Sequence, residues 1–210
     1  MRVYGDLGSG NCLKVKYTAD RLGLPYEWIP VDLMKGETRT KSFLAKNPFG
    51  QVPVVEFEPG RCLAQSNAII RYLARDSDLL PRDPFLQAKV DELLFWEQYS
   101  HEPYVAVARF QMVYLKKKIS EREPKIVEKG EAALDVMEQL LSGRTYLVGE
   151  SLTIADISLL AYTRLAHEGG FRLSHRPAIR KWIAQCERDL KISDEQTNEI
   201  TAAAGGARHG

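Results

Sequence analysis

Near residue 80 the chain changes its hydrophobic period, and this change constrains the fold more than any other feature of the sequence. Before it, short β-like runs at Arg2–Tyr4, Tyr26–Val31 and Val52–Phe57 alternate with helical patterns at Cys12–Leu22 and Ser66–Arg75, with a turn at Glu58-Pro59-Gly60-Arg61. After it, every segment repeats at helical spacing. Asp83-Pro84 reads as an N-cap followed by proline at the first helical position, where its missing N–H costs nothing. Later helices place Ala133, Val136, Met137, Leu140 and Leu141 on one face, and Ile179, Trp182, Ile183 and Cys186 on another. The pattern predicts an α/β domain over residues 1–77 and an all-helical bundle over 83–192, joined by the linker Asp78-Leu79-Leu80-Pro81-Arg82. The last stretch, DEQTNEITAAAGGARHG, is poor in large apolar residues, so 193–210 is expected to be a flexible tail.

Composition removes several classes of function. A chain of 210 residues, 44% hydrophobic and 27% charged, is long enough for two small domains with their own cores. Lys and Arg number 29 against 28 Asp and Glu, so no field of one sign draws the protein to nucleic acid or an anionic membrane. Small neutral or zwitterionic ligands are the expected partners. The three cysteines, Cys12, Cys62 and Cys186, fit no CxxC spacing and argue against a disulfide framework, which favours the reducing cytoplasm. The N-terminus lacks an apolar signal core, and no run approaches the roughly 18 apolar residues of a membrane span.

Some apparent motifs carry little. Gly8-Ser9-Gly10 between a strand and a helix imitates a dinucleotide fingerprint, but Leu13 stands at the third glycine position and the α/β part is too short for two nucleotide-binding halves. His101-Glu102 precedes Pro103 and has no second histidine at metal spacing, so it reads as a partly exposed helical histidine beside a kink, and no metal site is expected. Lys116-Lys117-Lys118, next to Glu121 and Glu123, reads as a solvated helix face.

Pro53 is different, because it sits where it removes a ladder donor from a strand-like run. Either the strand begins at Val54 after a trans proline, or Val52–Pro53 is cis. A cis bond would turn the chain sharply and leave the Val52 backbone able to pair with an extended peptide. Downstream, Gln65-Ser66 ends a turn just before an apolar-periodic helix. Ser66 is then either a plain N-cap or, with the helix's positive end, part of a carboxylate site. Thr153-Ile154-Ala155-Asp156 has capping-box spacing ahead of Ile157–Leu160 and reads as structural.

Three stretches together, Asn47-Pro48-Phe49-Gly50-Gln51-Val52-Pro53-Val54-Val55, Leu63–Leu73 and Ser151–Asp156, resemble the cytosolic glutathione transferase superfamily over nearly the whole chain. The resemblance implies a thioredoxin-like N-terminal domain with cis Pro53, an all-α C-terminal domain, a homodimer, a detoxification role and glutathione as co-substrate. By the same resemblance Gln51, Val52, Pro53, Gln65 and Ser66 bind glutathione, with Val52 facing its cysteinyl backbone.

The chemistry then falls at Leu7–Val15, where the first strand meets the first helix and the helix's positive end favours an anion. A free thiol has a pKa near 8.5, and lowering it by about two units needs roughly 2.7 kcal/mol. One hydrogen bond to a charged group gives about 1.5–3 kcal/mol, and a helix terminus adds about 0.3–2. Ser9, in Gly-Ser-x-x-Cys-x-x-Val, is similar to the hydroxyl donor of the serine-type classes; Asn11 and Cys12 are the alternatives, Cys12 through a mixed disulfide or as a bystander. Tyr4 belongs to the first strand and does not match the tyrosine-type motif. An electrophile pocket is expected along the helix carrying His101, Tyr104, Ala108 and Met112, with Tyr104 and Arg109 as its candidates. Relatives often carry Glu where this chain has Gln65, which meets an ammonium only through a neutral carbonyl; the resemblance to classes with glutamine here implies a carboxylate from the partner subunit, and Glu102, or failing that Glu97, is expected to supply it. Glutathione-dependent disulfide or peroxide reduction is the enzymatic alternative, and a non-catalytic glutathione-binding module the other.

Overall fold

A computed structural model describes residues 1–193, so the expected tail lies, apart from Ser193, outside the described residues. These residues form two compact units, Met1–Ser77 and Asp78–Ile192.

The first unit is built on a four-stranded sheet of β1 (Arg2–Gly5), β2 (Glu27–Pro30), β3 (Val54–Glu58) and β4 (Arg61–Ala64) in the order β2-β1-β3-β4. β1 and β2 are parallel, which requires a crossover, and α1 (Gly10–Arg21) supplies it. β3 runs antiparallel to β1 and turns through Pro59-Gly60 into β4. Gly60 holds the left-handed backbone this turn needs, with φ of 80°. β4 was hidden in the sequence between that turn and the helix α3 (Ser66–Leu73), as was the short α2 (Lys41–Leu44). One side of the sheet buries Val54 with Val31 and Phe43, and Tyr4, Val52, Cys62 and Ala64 pack against them. Gly5 marks the other side: a Cβ there would lie 3.0 Å from both Cys12 Sγ and the Trp28 ring, so only glycine lets α1 settle this close to β1.

The second unit is helical throughout. It contains α4 (Pro84–Trp96), a π-helical turn Glu97–His101, α5 (Glu102–Val113), α6 (Pro124–Leu141), α7 (Ile154–Thr163) and α8 (Pro177–Leu190). Asp83 caps α4 as the sequence suggests, its carboxylate accepting from Phe85 N at 2.7 Å and Leu86 N at 3.1 Å. All ten residues of α7 are buried, making it the axis of the bundle. Around it lie Ala133, Met137 and Leu141 of α6 and Ile179, Trp182 and Cys186 of α8, whereas Val136, assigned to the same apolar face, is 40% exposed.

Three sequence expectations change here, the first being that Lys116-Lys117-Lys118 lie in a non-helical segment after α5 and not on a helix face. Asp78–Arg82 is not a slack linker: Leu79 and Leu80 are buried, and Leu79 O accepts from Ile154 N at 3.0 Å at the start of α7. His101 is fully buried rather than partly exposed, with Nε2 3.0 Å from Thr163 Oγ1. The irregularity beside it is the π-helical turn, and Pro103 falls in the first turn of α5 where a proline is tolerated. Asp156 behaves as the capping-box reading expects and goes further. Its carboxylate accepts from Thr153 N, Thr153 Oγ1, Leu147 N and Trp182 Nε1, each at 2.9 Å. Burial pushes its pKa up while these donors pull against the shift. No helix among the described residues is long and apolar enough to cross a membrane, and no group of three His, Cys, Asp or Glu among them could hold a metal ion.

Candidate functional site

The sheet register gathers the candidates of the first unit at one edge. Tyr4 pairs with Val54, and Val54 pairs with Ala64. β1 and β4 therefore end, and β3 begins, on the same side of the sheet. From that edge β1 leads into the Ser9 loop and α1, Pro53 precedes β3, and β4 leads through Gln65 into α3. Strand order alone thus makes neighbours of segments some 50 residues apart in sequence.

Local hydrogen bonds shape each segment. Asp6 folds the first loop, its Oδ1 accepting from Gly8 N at 2.8 Å and its carbonyl from Ser9 N at 3.0 Å. Ser9 is the N-cap residue of α1 with φ −87° and ψ 120°, and its carbonyl takes the Cys12 and Leu13 amides. Its side chain caps no amide of the helix and lies instead in hydrogen-bond contact with the Cys12 thiol. The N–H groups of Gly10 and Asn11 lie in the first turn, where a helix offers no carbonyl partner.

Asn47 does for the second segment what Asp6 does for the first. It is buried, its Nδ2 donates to Gln51 O at 2.7 Å, and its Oδ1 accepts from Phe49 N at 3.1 Å. This pins the loop that leads to Val52–Pro53, whose peptide bond is cis. Sequence reasoning gave neither Asp6 nor Asn47 a role. The signals were there: an acidic or amide side chain two residues before a glycine or aromatic loop residue is the pattern of a side chain folding back on its own backbone.

At the third segment Gln65 has φ 68° and ψ 108°, outside the regions a non-glycine residue ordinarily adopts. Such strain collects where a ligand is held. It turns the chain directly into α3, whose first residue Ser66 is 5% exposed and donates from Oγ to Asn11 Oδ1 at 3.1 Å. The starts of α1 and α3 are thereby tied together. Cys12, in contrast, is fully buried, and burial pushes its thiol up to about 12 despite opposing contacts with the Asp6 backbone and the Ser9 side chain. A neutral, enclosed thiol suits packing and not a mixed disulfide. Tyr4 is also occupied, its hydroxyl donating to Glu56 Oε2 at 2.9 Å.

A family model described as glutathione S-transferase, N-terminal domain, matches residues 1–75, and one described as glutathione S-transferase, C-terminal domain, matches residues 98–189. The chain belongs to the glutathione S-transferase family. Glutathione S-transferase PM239X14 of Arabidopsis thaliana is 32% identical over 197 residues, covering 88% of this chain and 90% of that protein. A glutathione S-transferase crystal structure from Pseudomonas fluorescens is 52% identical with a TM-score of 0.86, covering 89% of this chain and 94% of that one. A possible glutathione S-transferase from Rhodopseudomonas palustris is 40% identical at a TM-score of 0.86, over 90% and 94% of the two chains.

Within this glutathione S-transferase frame, two candidates of the second unit are committed elsewhere. Glu97 is fully enclosed, its Oε2 accepting from Gln98 Nε2 at 2.9 Å and Ser158 Oγ at 3.3 Å, which removes it as a carboxylate that reaches a second subunit. Arg109 is 2% exposed and its Nε donates to Glu168 Oε2 at 2.6 Å, so its guanidinium fastens α5 to a neighbouring turn instead of lining an open pocket. Glu102 and Tyr104, both half-buried, begin α5.

Proposed function

We propose that this protein is a glutathione transferase that holds the glutathione thiolate against the start of α1 and lets it attack a small electrophile. The observation that carries the reading is the convergence just described, in which the Ser9 loop, the Val52–Pro53 turn and the Gln65-Ser66 terminus share one sheet edge and Ser66 is bonded to Asn11. Val52 pairs its backbone with the cysteinyl residue of glutathione, flanked by Gln51 and Pro53. Gln65, Ser66 and the positive end of α3 take the γ-glutamyl end. The Ser9 hydroxyl, which caps no amide and turns from the neutral Cys12 thiol to the ligand, donates to the glutathione sulfur, and together with the terminus of α1 supplies the roughly 2.7 kcal/mol that a two-unit drop in thiol pKa requires. Glu102 is the carboxylate left to meet the ligand ammonium from a partner subunit.

The proposal extends to a homodimer. Phe85, Phe95 and Tyr99 follow one stripe along α4 into the π-helical turn and are 72%, 75% and 84% exposed. Large aromatic side chains exposed in a row at helical spacing mark an interaction face, and a second copy of this chain is the occupant proposed.

The test combines a substrate panel with a titration. An aryl halide, a small disulfide and a hydroperoxide are offered with glutathione, and thiolate absorbance of the bound ligand is followed against pH. Conjugation of the aryl halide supports the transferase reading; turnover confined to the disulfide or peroxide replaces it with reduction. Binding without turnover on any of them leaves a glutathione-binding module. Ser9→Ala is expected to raise the bound thiol's pKa by about one to two units and to lower turnover near pH 7 about tenfold to a hundredfold, with glutathione affinity nearly unchanged. An unchanged pKa in Ser9→Ala overturns the assignment of Ser9.

A further inference from the structure

Resting on that reading, the hydrogen bond between Ser66 and Asn11 separates two duties at the site. A serine hydroxyl has one proton, and an amide oxygen can only accept. With Ser66 Oγ donating to Asn11 Oδ1 at 3.1 Å, the rotor of a hydroxyl that is almost wholly buried is fixed by a side chain 55 residues away on another helix. The amide is planar, so anchoring its oxygen at the start of α3 also fixes the direction in which Asn11 extends from α1. At the thiol end, the Ser9 hydroxyl caps no amide and has the neutral, buried Cys12 thiol beside it.

We infer that Asn11 is a positioning residue for the amino-acid end of glutathione: by taking the Ser66 proton it fixes the rotamer in which Oγ accepts from the γ-glutamyl ammonium, while the carboxylate falls to the backbone N–H groups at the start of α3, and it does not stabilise the thiolate. Without Asn11, Ser66 Oγ samples its other staggered wells, and the cost of ordering it is moved into the binding step. The two residues then act as one unit in affinity, while the sulfur is unaware of the change.

The experiment is a double-mutant cycle in glutathione affinity, measured by calorimetric titration on wild type, Asn11→Ala, Ser66→Ala and the pair, alongside the pH titration of bound-thiol absorbance. Asn11 is on a half-exposed helical position where alanine is the best helix former, so the variant keeps its fold, and circular dichroism verifies this. Asn11→Ala is expected to weaken glutathione binding roughly threefold to tenfold, the worth of one neutral hydrogen bond, with the bound thiol's pKa at its wild-type value. The double variant is expected to bind no more weakly than Ser66→Ala, a coupling that a merely structural role for Asn11 would not produce. A raised thiol pKa in Asn11→Ala, wild-type affinity in that variant, or additive losses in the pair each overturn the inference. Failure of the wild type itself to bind glutathione overturns instead the reading of the whole site, and is seen before any variant is made.

Discussion

Glu56 shows how much one residue can organise in a small sheet. It lies on β3 opposite Arg2 and Cys62, is 7% exposed, and accepts from Lys46 Nζ at 3.0 Å, Tyr4 Oη at 2.9 Å and Gly60 N at 3.2 Å. The Lys46 ammonium first, then the Tyr4 hydroxyl and the Gly60 amide, hold its carboxyl down at about 2. A carboxyl lowered by folding stabilises the folded state fully above its unfolded pKa, near 4.5, and loses that contribution as pH falls toward 2. Glu56→Gln is therefore expected to melt several degrees below wild type at pH 7, with the gap closing between about pH 4.5 and 2. A gap independent of pH, read from paired thermal melts, would show that the charge is irrelevant. The same cluster occupies the Tyr4 hydroxyl, although Tyr4 stands at the sheet edge from which the Ser9 loop leaves.

Among the elements, α7 depends most on a single side chain. Asp156 satisfies its own helix start, the Leu147 amide and the Trp182 indole, so its removal strands several buried donors. Asp156→Ala is expected to cost about 3 kcal/mol or more, lowering the melting temperature by roughly 6–12 °C, while Ser151→Ala just outside the network leaves it near wild type. A melt of Asp156→Ala within 2 °C of wild type, taken as a rough limit of measurement, would remove the network from the account of stability. The Thr-x-x-Asp spacing announced this helix because capping is local chemistry, and the strands β1 to β3 and the helices α1 and α3 were legible for the same reason. What the sequence hid was decided at a distance. Glu97 and His101 look like surface residues of a helix, and they are buried because Ser158 and Thr163, 61 and 62 residues away, offer them partners. β4 escaped because four residues pressed between a Pro-Gly turn and a helix leave too little alternation to read. The bond from Ser66 to Asn11 was equally unreadable, since only the strand order brings the two helix starts together.

For the whole molecule, charge is nearly balanced at +1, so neither solubility nor association is governed by a strong field. Association should follow the aromatic stripe of α4. Wild type is expected to sediment at twice the chain mass of 23.8 kDa, and Phe95→Glu/Tyr99→Glu at the single mass, with both unfolding cooperatively. A wild-type monomer at micromolar concentration would refute the dimer. The network around Asp156 also gives the chain a schedule. On the ribosome, the strands and helices of residues 1–77 are complete long before the rest has emerged, and a domain can close as soon as its own contacts are available. The second unit has no such freedom, because the acid in the first turn of its axial helix waits for an indole 26 residues further on, almost at the end of the first half of α8. The first unit of this protein can thus be finished while the second is still being made, and the helical unit comes to rest only when its final helix arrives.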